Sequence, residues 1–307
     1  GHFLPTVDGE AVSIRLLDQS KGYLNLEQLQ MPSEVLSKIY SLISEPHGLI
    51  LVTGPTGSGK TTSLYAALSH LNEVTRHIVT IENPVEYRLD RVTQIQVNKR
   101  LGLDFAQALR AVLRQDPNIV MVGEIRDRET AEITLEAALT GHLVFATLHT
   151  NDSCRAVARL LSMGVDPFIV SSSLLAVVAQ RLVRTLCDCK VPLENAGRVL
   201  EGLDYEPSPG DKFFMARGCD ECRHTGYRGR AGIYELLEIS PSLQELMVRM
   251  PHPNALFQMA RSQGLKTLWD SGWELFCRGV TTIEEVKRVA RQASDIGRET
   301  VLETSSM

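Results

Sequence analysis

The sequence predicts an α/β fold in which helices cover both faces of a parallel β-sheet. Short apolar runs at 48–53, 77–81, 118–122 and 142–150 alternate with segments of helical periodicity. Near-continuous apolar strands separated by helices are typical of parallel sheets that are buried on both sides. The 307 residues, 43% hydrophobic and 22% charged, suffice for two globular domains with sizeable cores. Ligands of such sheets bind beyond the carboxyl ends of the strands.

The sequence of residues 1–29 predicts a β-hairpin followed by a linker. Asp8-Gly9 separates two apolar runs, 3–7 and 11–17, and Asp-Gly is a strong signal for a hairpin turn. Because a lone hairpin is marginal in water, we interpret residues 1–29 as the remnant of an N-terminal α+β domain. The chain starts with Gly1-His2 and not with Met, so we expect a piece of a longer protein, with Gly1-His2 left over from cloning.

A helix predicted to begin at 32–34 is followed by the first apolar run, which leads into a glycine-rich loop. The loop has the pattern G-x-x-x-x-G-K-T and consists of Gly54, Pro55, Thr56, Gly57, Ser58, Gly59, Lys60, Thr61 and Thr62. A strand before it and a helical pattern after it favour a phosphate-binding loop over a turn without a ligand. We expect Lys60 to reach the β and γ phosphates of ATP and the Thr61 hydroxyl to ligate Mg²⁺.

Carboxylates follow the second and third predicted strands. Glu82 and Glu86 follow the second, and Glu124 follows the third. Glu124 is the best candidate to hold the water of the metal or to polarise the attacking water in γ-phosphate hydrolysis. Gly123 stands where many phosphate-loop enzymes keep a metal-binding Asp, so Glu82 and Glu86 are candidate second carboxylates. For Glu86, a plain surface position explains the pattern equally well.

Two histidines bound the fourth predicted strand. His149 lies at its carboxyl end, on the edge where phosphates are expected, so it is a candidate donor to the γ-phosphate that would report its loss. A structural hydrogen bond is the alternative. His142 begins the strand at the opposite end, where we favour a structural or subunit-contact role.

The sequence of the second half of the chain predicts helices on both sides of an inserted tetracysteine subdomain. The pattern from 152 to 184 is helical, and its interleaved arginines fit a solvated helix face. Two cysteine pairs follow, and six cysteines in a nucleotide-binding chain suggest metal ligands or buried thiols before disulfides. The predicted organisation is a nucleotide-binding domain at 30–185, a tetracysteine subdomain at 186–240, and a helical C-terminal subdomain with a polar tail at 241–307.

Composition excludes some classes of protein. A formal net charge of −5 and the lack of aromatic residues spaced as base-stacking platforms argue against a nucleic-acid binder. No apolar run is long enough to cross a bilayer and no signal peptide is visible, so we expect no direct membrane insertion. Contact with a membrane would then have to go through a partner protein.

Together these motifs resemble the secretion ATPases of type II secretion and type IV pilus assembly. The most distinctive segments are 54–62, 82–86, 121–127, 140–143 and 147–151. One departure is Asn83, where that family usually has Asp. The resemblance implies a RecA-like ATP hydrolase that forms a homo-hexamer on the cytoplasmic face of the bacterial inner membrane. It also implies platform and adaptor proteins of that membrane as partners, with ATP hydrolysis coupled to assembly of a pilus or pseudopilus.

Arg15 gains a possible role from the same resemblance. Its apolar neighbours alone fit a solvated strand face as well as a function. In the family, an N-terminal-domain arginine in the matching stretch 12–17 faces a nucleotide, so Arg15 becomes a candidate arginine finger.

The cysteines resemble the tetracysteine zinc element of the assembly and secretion branch, which retraction ATPases lack. Cys187 and Cys189 form the first pair, and Cys219 and Cys222 the second. Four thiolates around Zn²⁺ are a standard closed structural site. The first pair is C-x-C and not C-x-x-C, so the site could be distorted, recruit His224 or be empty. Two reduced, buried pairs are the alternative.

The same motifs are compatible with other functions. A nucleic-acid motor of the ring-helicase class would share the glycine-rich loop and the sheet. A pilus-retraction ATPase, or a scaffold in which slow hydrolysis only switches partner binding, would share the nucleotide site as well.

Overall fold

The N-terminal hairpin is the first element of the chain. The computed structural model describes residues 2–13, 24–194, 197, 210–249 and 252–291. Strand β1 (His2–Thr6) pairs antiparallel with β2 (Gly9–Ser13), which confirms the predicted hairpin. The side chains of residues 3–12 are all exposed. Arg15, the candidate arginine finger, lies outside the described residues.

A seven-stranded sheet forms the centre of the fold. The remaining strands are β3 (Gly48–Thr53), β4 (Ile78–Glu82), β5 (Thr93–Gln96), β6 (Ile119–Val122), β7 (Leu143–Leu148), β8 (Leu174–Leu186), β9 (Val191–Pro192), β10 (Phe214–Met215) and β11 (Tyr227–Glu238). The sheet has the order β11-β8-β3-β7-β6-β4-β5, and β9 and β10 form a separate two-stranded sheet. Neighbouring strands of the large sheet are parallel except β11, which runs antiparallel to β8. The predicted α/β fold is therefore confirmed.

Helices surround this sheet. They are α1 (Ser33–Ile43), α2 (Lys60–Leu71), α3 (Phe105–Val112), α4 (Arg128–Leu139), α5 (Ser153–Ser162), α6 (Pro167–Ser173), α7 (Pro241–Arg249), α8 (Pro253–Ser262), α9 (Leu268–Cys277) and α10 (Ile283–Val289). Aspartates cap four of them: Asp104, Asp127, Asp152 and Asp166 each accept a backbone N–H of the first turn. No helix among the described residues has both the length and the apolar character needed to span a membrane.

Alternate residues of the central strands face two different cores. On β3, Leu49 and Leu51 pack in a cluster with α3, α4 and α5, whereas Ile50 and Val52 pack with α1 and α2. Both faces of the strand are therefore apolar, which explains why the sequence shows continuous apolar runs and not alternation. A third cluster lies between the distal parts of β8 and β11 and the helices α9 and α10.

The prediction of helical structure over 152–184 is wrong for the second half of that range. Helices α5 and α6 are present, but the chain from Leu174 onward forms the 13-residue strand β8. This strand lies between β3 and β11, so most of its residues are buried on both faces and no period-two pattern marks it. The interpretation of its arginines as solvated is wrong for Arg181, which is 7% exposed.

Candidate functional site

A cleft of about 760 Å³ opens at the carboxyl ends of the parallel strands. Its walls include residues 56–62 of the glycine-rich loop, and the predicted site residues Glu82, Glu86, Glu124 and His149. Four stretches that are far apart in sequence therefore meet at one edge of the sheet, because each follows a parallel strand. Gly54 and Pro55 do not line the cleft.

The glycine-rich loop curls between β3 and α2. Gly57 and Gly59 have φ values of 81° and 90°, a left-handed conformation that side chains rarely adopt. Gly59 is also the N-cap of α2, so the N-terminal turn of that helix begins at Lys60, inside the cleft. Free backbone N–H groups and the partial positive charge of a helix N-terminus favour bound anions.

Lys60 is held in the loop in this structure. Its Nζ donates to the carbonyl oxygens of Gly54 at 2.7 Å and Pro55 at 3.1 Å. Burial, and to a smaller extent the Arg181 guanidinium, lower the pKa of Lys60 to about 8, while Glu124 acts in the opposite direction. The ammonium group therefore titrates near neutral pH before any ligand binds.

Affinity for ATP is expected to fall as pH rises through about 8, the pKa of Lys60. Below this pH the free protein already carries the charge that meets the phosphates, and above it binding must first take up a proton. One linked proton lowers affinity by up to about tenfold per pH unit well above the pKa. Binding of a fluorescent ATP analogue between about pH 7 and pH 10 measures this. Lys60→Arg is the control, because its guanidinium stays charged, and an equally steep alkaline fall in that variant would contradict the prediction.

Glu124 lies between two basic side chains. Its Oε2 is 2.6 Å from Arg126 Nε and 3.7 Å from His149 Nε2, and its side chain is 10% exposed. The backbone N–H of Ile125 donates to the Thr147 carbonyl, which ties this loop to β7. Burial and the charge of Lys60 lower the pKa of His149, so its ring is neutral at pH 7. A neutral imidazole can donate one hydrogen bond without adding charge.

The other two predicted carboxylates differ in their surroundings. Glu82 is 3% exposed and accepts hydrogen bonds from the Tyr65 hydroxyl, Thr80 Oγ1 at 2.6 Å and Gln94 Nε2 at 3.1 Å. Oε1 accepts two of these bonds and Oε2 accepts one, and the role of Glu82 at a metal ion stays a prediction. Glu86 is half-buried on the cleft wall, and its role stays a prediction.

Four cysteines converge at the far ends of β8 and β11. The Sγ atoms of Cys187, Cys189, Cys219 and Cys222 all lie within 4.8 Å of one another. The Sγ to Sγ distances are 3.9 Å for Cys187 and Cys219, 3.9 Å for Cys189 and Cys222, and 3.8 Å for Cys219 and Cys222. Zn–S bonds of about 2.3 Å in a tetrahedron place sulfur atoms about 3.8 Å apart, so the donor set fits zinc despite its C-x-C pair.

His224 does not join this cluster. It is exposed, and its Nε2 lies 3.1 Å from the carboxylate of Asp220. Backbone N–H groups of Cys219 and Gly226 donate to the Cys222 sulfur at 3.1 and 3.2 Å, which favours its thiolate form. The cluster therefore consists of the four cysteine sulfur atoms, without His224.

Comparison with known proteins identifies the family. Residues 2–288 match the sequence model described as "Type II/IV secretion system protein". The chain belongs to this family. The match covers most of the 307 residues, and the resemblance drawn from the motifs is thereby confirmed.

Curated relatives of the secretion family are similar over almost the whole chain. "Type II secretion system protein E" of Pseudomonas aeruginosa is 50% identical over 290 residues, and "Type II secretion system ATPase E" of Vibrio cholerae is 48% identical over 291. Each alignment covers 94% of this chain and 58% of the relative. "Type IV pilus assembly ATPase PilB" of Thermus thermophilus is 45% identical over 286 residues, covering 92% of this chain and 32% of the relative. The chain thus spans little more than half, or less, of these proteins.

Two solved structures share the fold of this chain. A crystal structure of "the Pilus Retraction Motor PilT and Bound ADP" has a TM-score of 0.71 and 28% identity, covering 96% of this chain and 75% of that one. The Legionella pneumophila ATPase DotB has a TM-score of 0.64 at 24% identity, covering 87% of this chain and 65% of that one. The second match shows the fold alone.

Sequence reasoning missed two arginines of this secretion-family cleft. Arg126 and Arg230 both line it. Arg126 follows Glu124 by two residues in a strand-end loop, a spacing that could have suggested it. Arg230 lies on β11, and no local pattern connects it with the glycine-rich loop.

Proposed function

We propose that this chain is the ATP-hydrolysing part of a secretion or pilus-assembly ATPase. The observation that carries the proposal is the meeting, in one cleft, of the glycine-rich loop, Glu124 and His149. Related proteins support it: one is named an ATPase of type II secretion, another an assembly ATPase of type IV pili, and the related PilT structure contains ADP.

Several residues that line the cleft have a role in the proposed reaction. Backbone N–H groups of residues 57–61 hold the phosphates of ATP, and Lys60 exchanges its carbonyl contacts for phosphate oxygens. Thr61 holds Mg²⁺, which neutralises charge on the β and γ phosphates. Glu124 orients the attacking water. Because Arg126 is paired with Glu124 here, this ion pair has to open before the carboxylate can act.

His149 reads the state of the γ-phosphate in this proposal. It lies 3.7 Å from the carboxylate of Glu124, and its lowered pKa makes it a neutral hydrogen-bond donor. When the γ-phosphate leaves, this donor loses its acceptor. The loop that follows β7 can then relax, and loops that respond to a γ-phosphate are a common switching device.

The proposal for the larger assembly is based on the organisation of the family. Residues 30–185 form a RecA-like domain, to whose sheet β11 adds a strand, and 186–240 include a zinc-holding subdomain of the pilus-extension branch, because the four sulfur atoms fit a tetrahedral site. Residues 241–307 comprise a helical C-terminal subdomain, of which 241–249 and 252–291 are described, and a polar tail, and 1–29 belong to an N-terminal domain. We propose a homo-hexamer in which Arg15 reaches the nucleotide of a neighbouring subunit. Its partners are inner-membrane platform and adaptor proteins at the cytoplasmic face.

Phosphate release by the purified protein tests this function. We expect Mg²⁺-dependent ATP hydrolysis that does not rise when single-stranded DNA or RNA is added at low salt. A nucleic-acid motor would bind single strands through backbone charge, with a steep dependence on salt. Lys60→Ala is the control for contaminating activity. A clear strand-dependent rise would favour the ring-helicase alternative.

A further inference from the structure

A pair of opposite charges is buried behind the glycine-rich loop, where the proposed reaction does not use it. Arg181 on β8 is 7% exposed, and Glu235 on β11 is 2% exposed. Burying a guanidinium is costly unless hydrogen bonds and a counter-charge compensate. The contacts of Arg181 therefore indicate what the buried charge does.

Arg181 reaches the loop that follows β7. Its Nη2 donates to the carbonyl oxygen of Asn151 at 2.8 Å and to Asn151 Oδ1 at 3.3 Å. Asn151 comes two residues after His149. The guanidinium thus fixes the backbone that carries the proposed sensor of the γ-phosphate.

The same part of β8 supports the glycine-rich loop. A Cβ atom on Gly54 would lie 2.6 Å from the Gln180 carbonyl oxygen and 3.0 Å from Arg181 Nη1. A Cβ atom on Gly59 would lie 2.7 Å from Gln180 Nε2. Gln180 Oε1 also accepts from Ser63 Oγ on α2 at 2.9 Å. Both ends of the loop therefore rest on the dipeptide Gln180-Arg181.

The counter-charges of Arg181 are themselves fixed. Glu235 accepts from the backbone N–H of Ser153 at 2.8 Å and of Leu268 at 3.2 Å, and from the Ser153 hydroxyl. Burial lowers the pKa of Arg181, while Glu235 and Asp152 raise it. These two acidic groups partly offset the cost of burying the guanidinium, although burial also raises their own pKa values.

We infer that Arg181 is a positioning residue that holds the glycine-rich loop and the loop carrying His149 in one fixed relation, from behind the cleft. This inference rests on the proposed function. The backbone N–H of Thr150 also donates to Thr53 Oγ1 at 3.0 Å, so a second tie remains when Arg181 is lost. ATP binding should then survive, whereas turnover should fall, because catalysis depends on placement to within about 1 Å.

Two substitutions separate the geometry of Arg181 from its charge. Arg181→Lys keeps a cation beside Asp152 and Glu235. It lacks the planar fork through which Nη1 donates to the Gln180 carbonyl oxygen at 3.0 Å while Nη2 donates to Asn151. Arg181→Met removes the cation as well. We expect kcat to fall about 10- to 100-fold in both, with a much smaller change in KM.

The split between kcat and KM supplies a readout that a general loss of packing would not produce. Arg181 is not among the described residues that line the cleft, so its replacement leaves the phosphate contacts in place. KM should therefore stay near the parent value while kcat falls, whereas a loosened cleft would raise KM as well.

Each outcome decides the inference. Arg249→Gln, which breaks an exposed ion pair with Glu245, is the matched control and should keep the parent kcat. Parent-like kcat in Arg181→Lys, or an equal loss in Arg249→Gln, would overturn the inference while the proposed function stands. If Arg181→Met does not fold, kcat of Arg181→Lys alone decides. A parent protein that neither binds nor hydrolyses ATP would overturn the proposed function and this inference with it.

Discussion

Replacing Glu124 with glutamine is expected to lower ATP turnover about 100- to 1,000-fold and to leave ATP affinity close to that of the parent. Glutamine has nearly the same shape but lacks the charge that orients and polarises water in the proposed reaction. Loss of one electrostatic contact made only in the transition state typically costs about 3 to 4 kcal/mol. The buried position of Glu124, with 10% of its side chain exposed, places this contact where water screens it weakly.

The measurement pairs steady-state phosphate release with binding of a fluorescent ATP analogue. Lys60→Ala should differ by weakening ATP binding itself, because it removes a phosphate contact, and its turnover should be lost as well. Glu245→Gln changes an exposed carboxylate on α7 and should behave like the parent. Hydrolysis at the parent rate by Glu124→Gln would show that the assigned role is wrong.

The glycine-rich loop and the strand ends could be predicted because their signals are local. An apolar run, the glycine pattern and a helical segment follow one another within 48–68. Parallel strands then bring residues such as Glu124 and His149 to the same edge, whatever the order of the strands. The sequence alone was therefore sufficient to place most of the cleft.

Residues that reach the loop from other strands could not be predicted. Strand β8 is buried on both faces, so its hydrophobic pattern resembles that of a helix. That pattern predicts a solvated Arg181, whereas the side chain is buried. Only the pairing of β8 with β3 shows that Gln180 and Arg181 lie behind the loop. Glu82 illustrates the same limit, because its partners Tyr65 and Gln94 come from α2 and β5. Such contacts depend on strand order, which no local pattern encodes.

Removing the metal is expected to cause the largest change in stability. We expect one Zn²⁺ per chain, bound by Cys187, Cys189, Cys219 and Cys222. Structural zinc in small sites contributes on the order of 10 kcal/mol to folding. Among the residues described around the cluster, β9 and β10 have two residues each and so add little stability of their own. Chelation of the metal, or the substitution Cys222→Ser, should therefore loosen the segment between Cys187 and Tyr227 first.

Hydrogen exchange can locate this loosening. Protection should fall between Cys187 and Tyr227, where Cys187 N–H donates to the Gly226 carbonyl. It should persist at 174–183 of β8, because that part of the strand pairs with β3 and β11 and lies in the core. Cys277→Ser, a cysteine outside the cluster, is the matched control and should retain both the metal and the protection. Elemental analysis showing well under one zinc per parent chain would refute the site. Equal loss of protection across the whole of β8 would instead show that the metal supports the entire sheet, because a local site should affect only the ends of β8 and β11 that it joins.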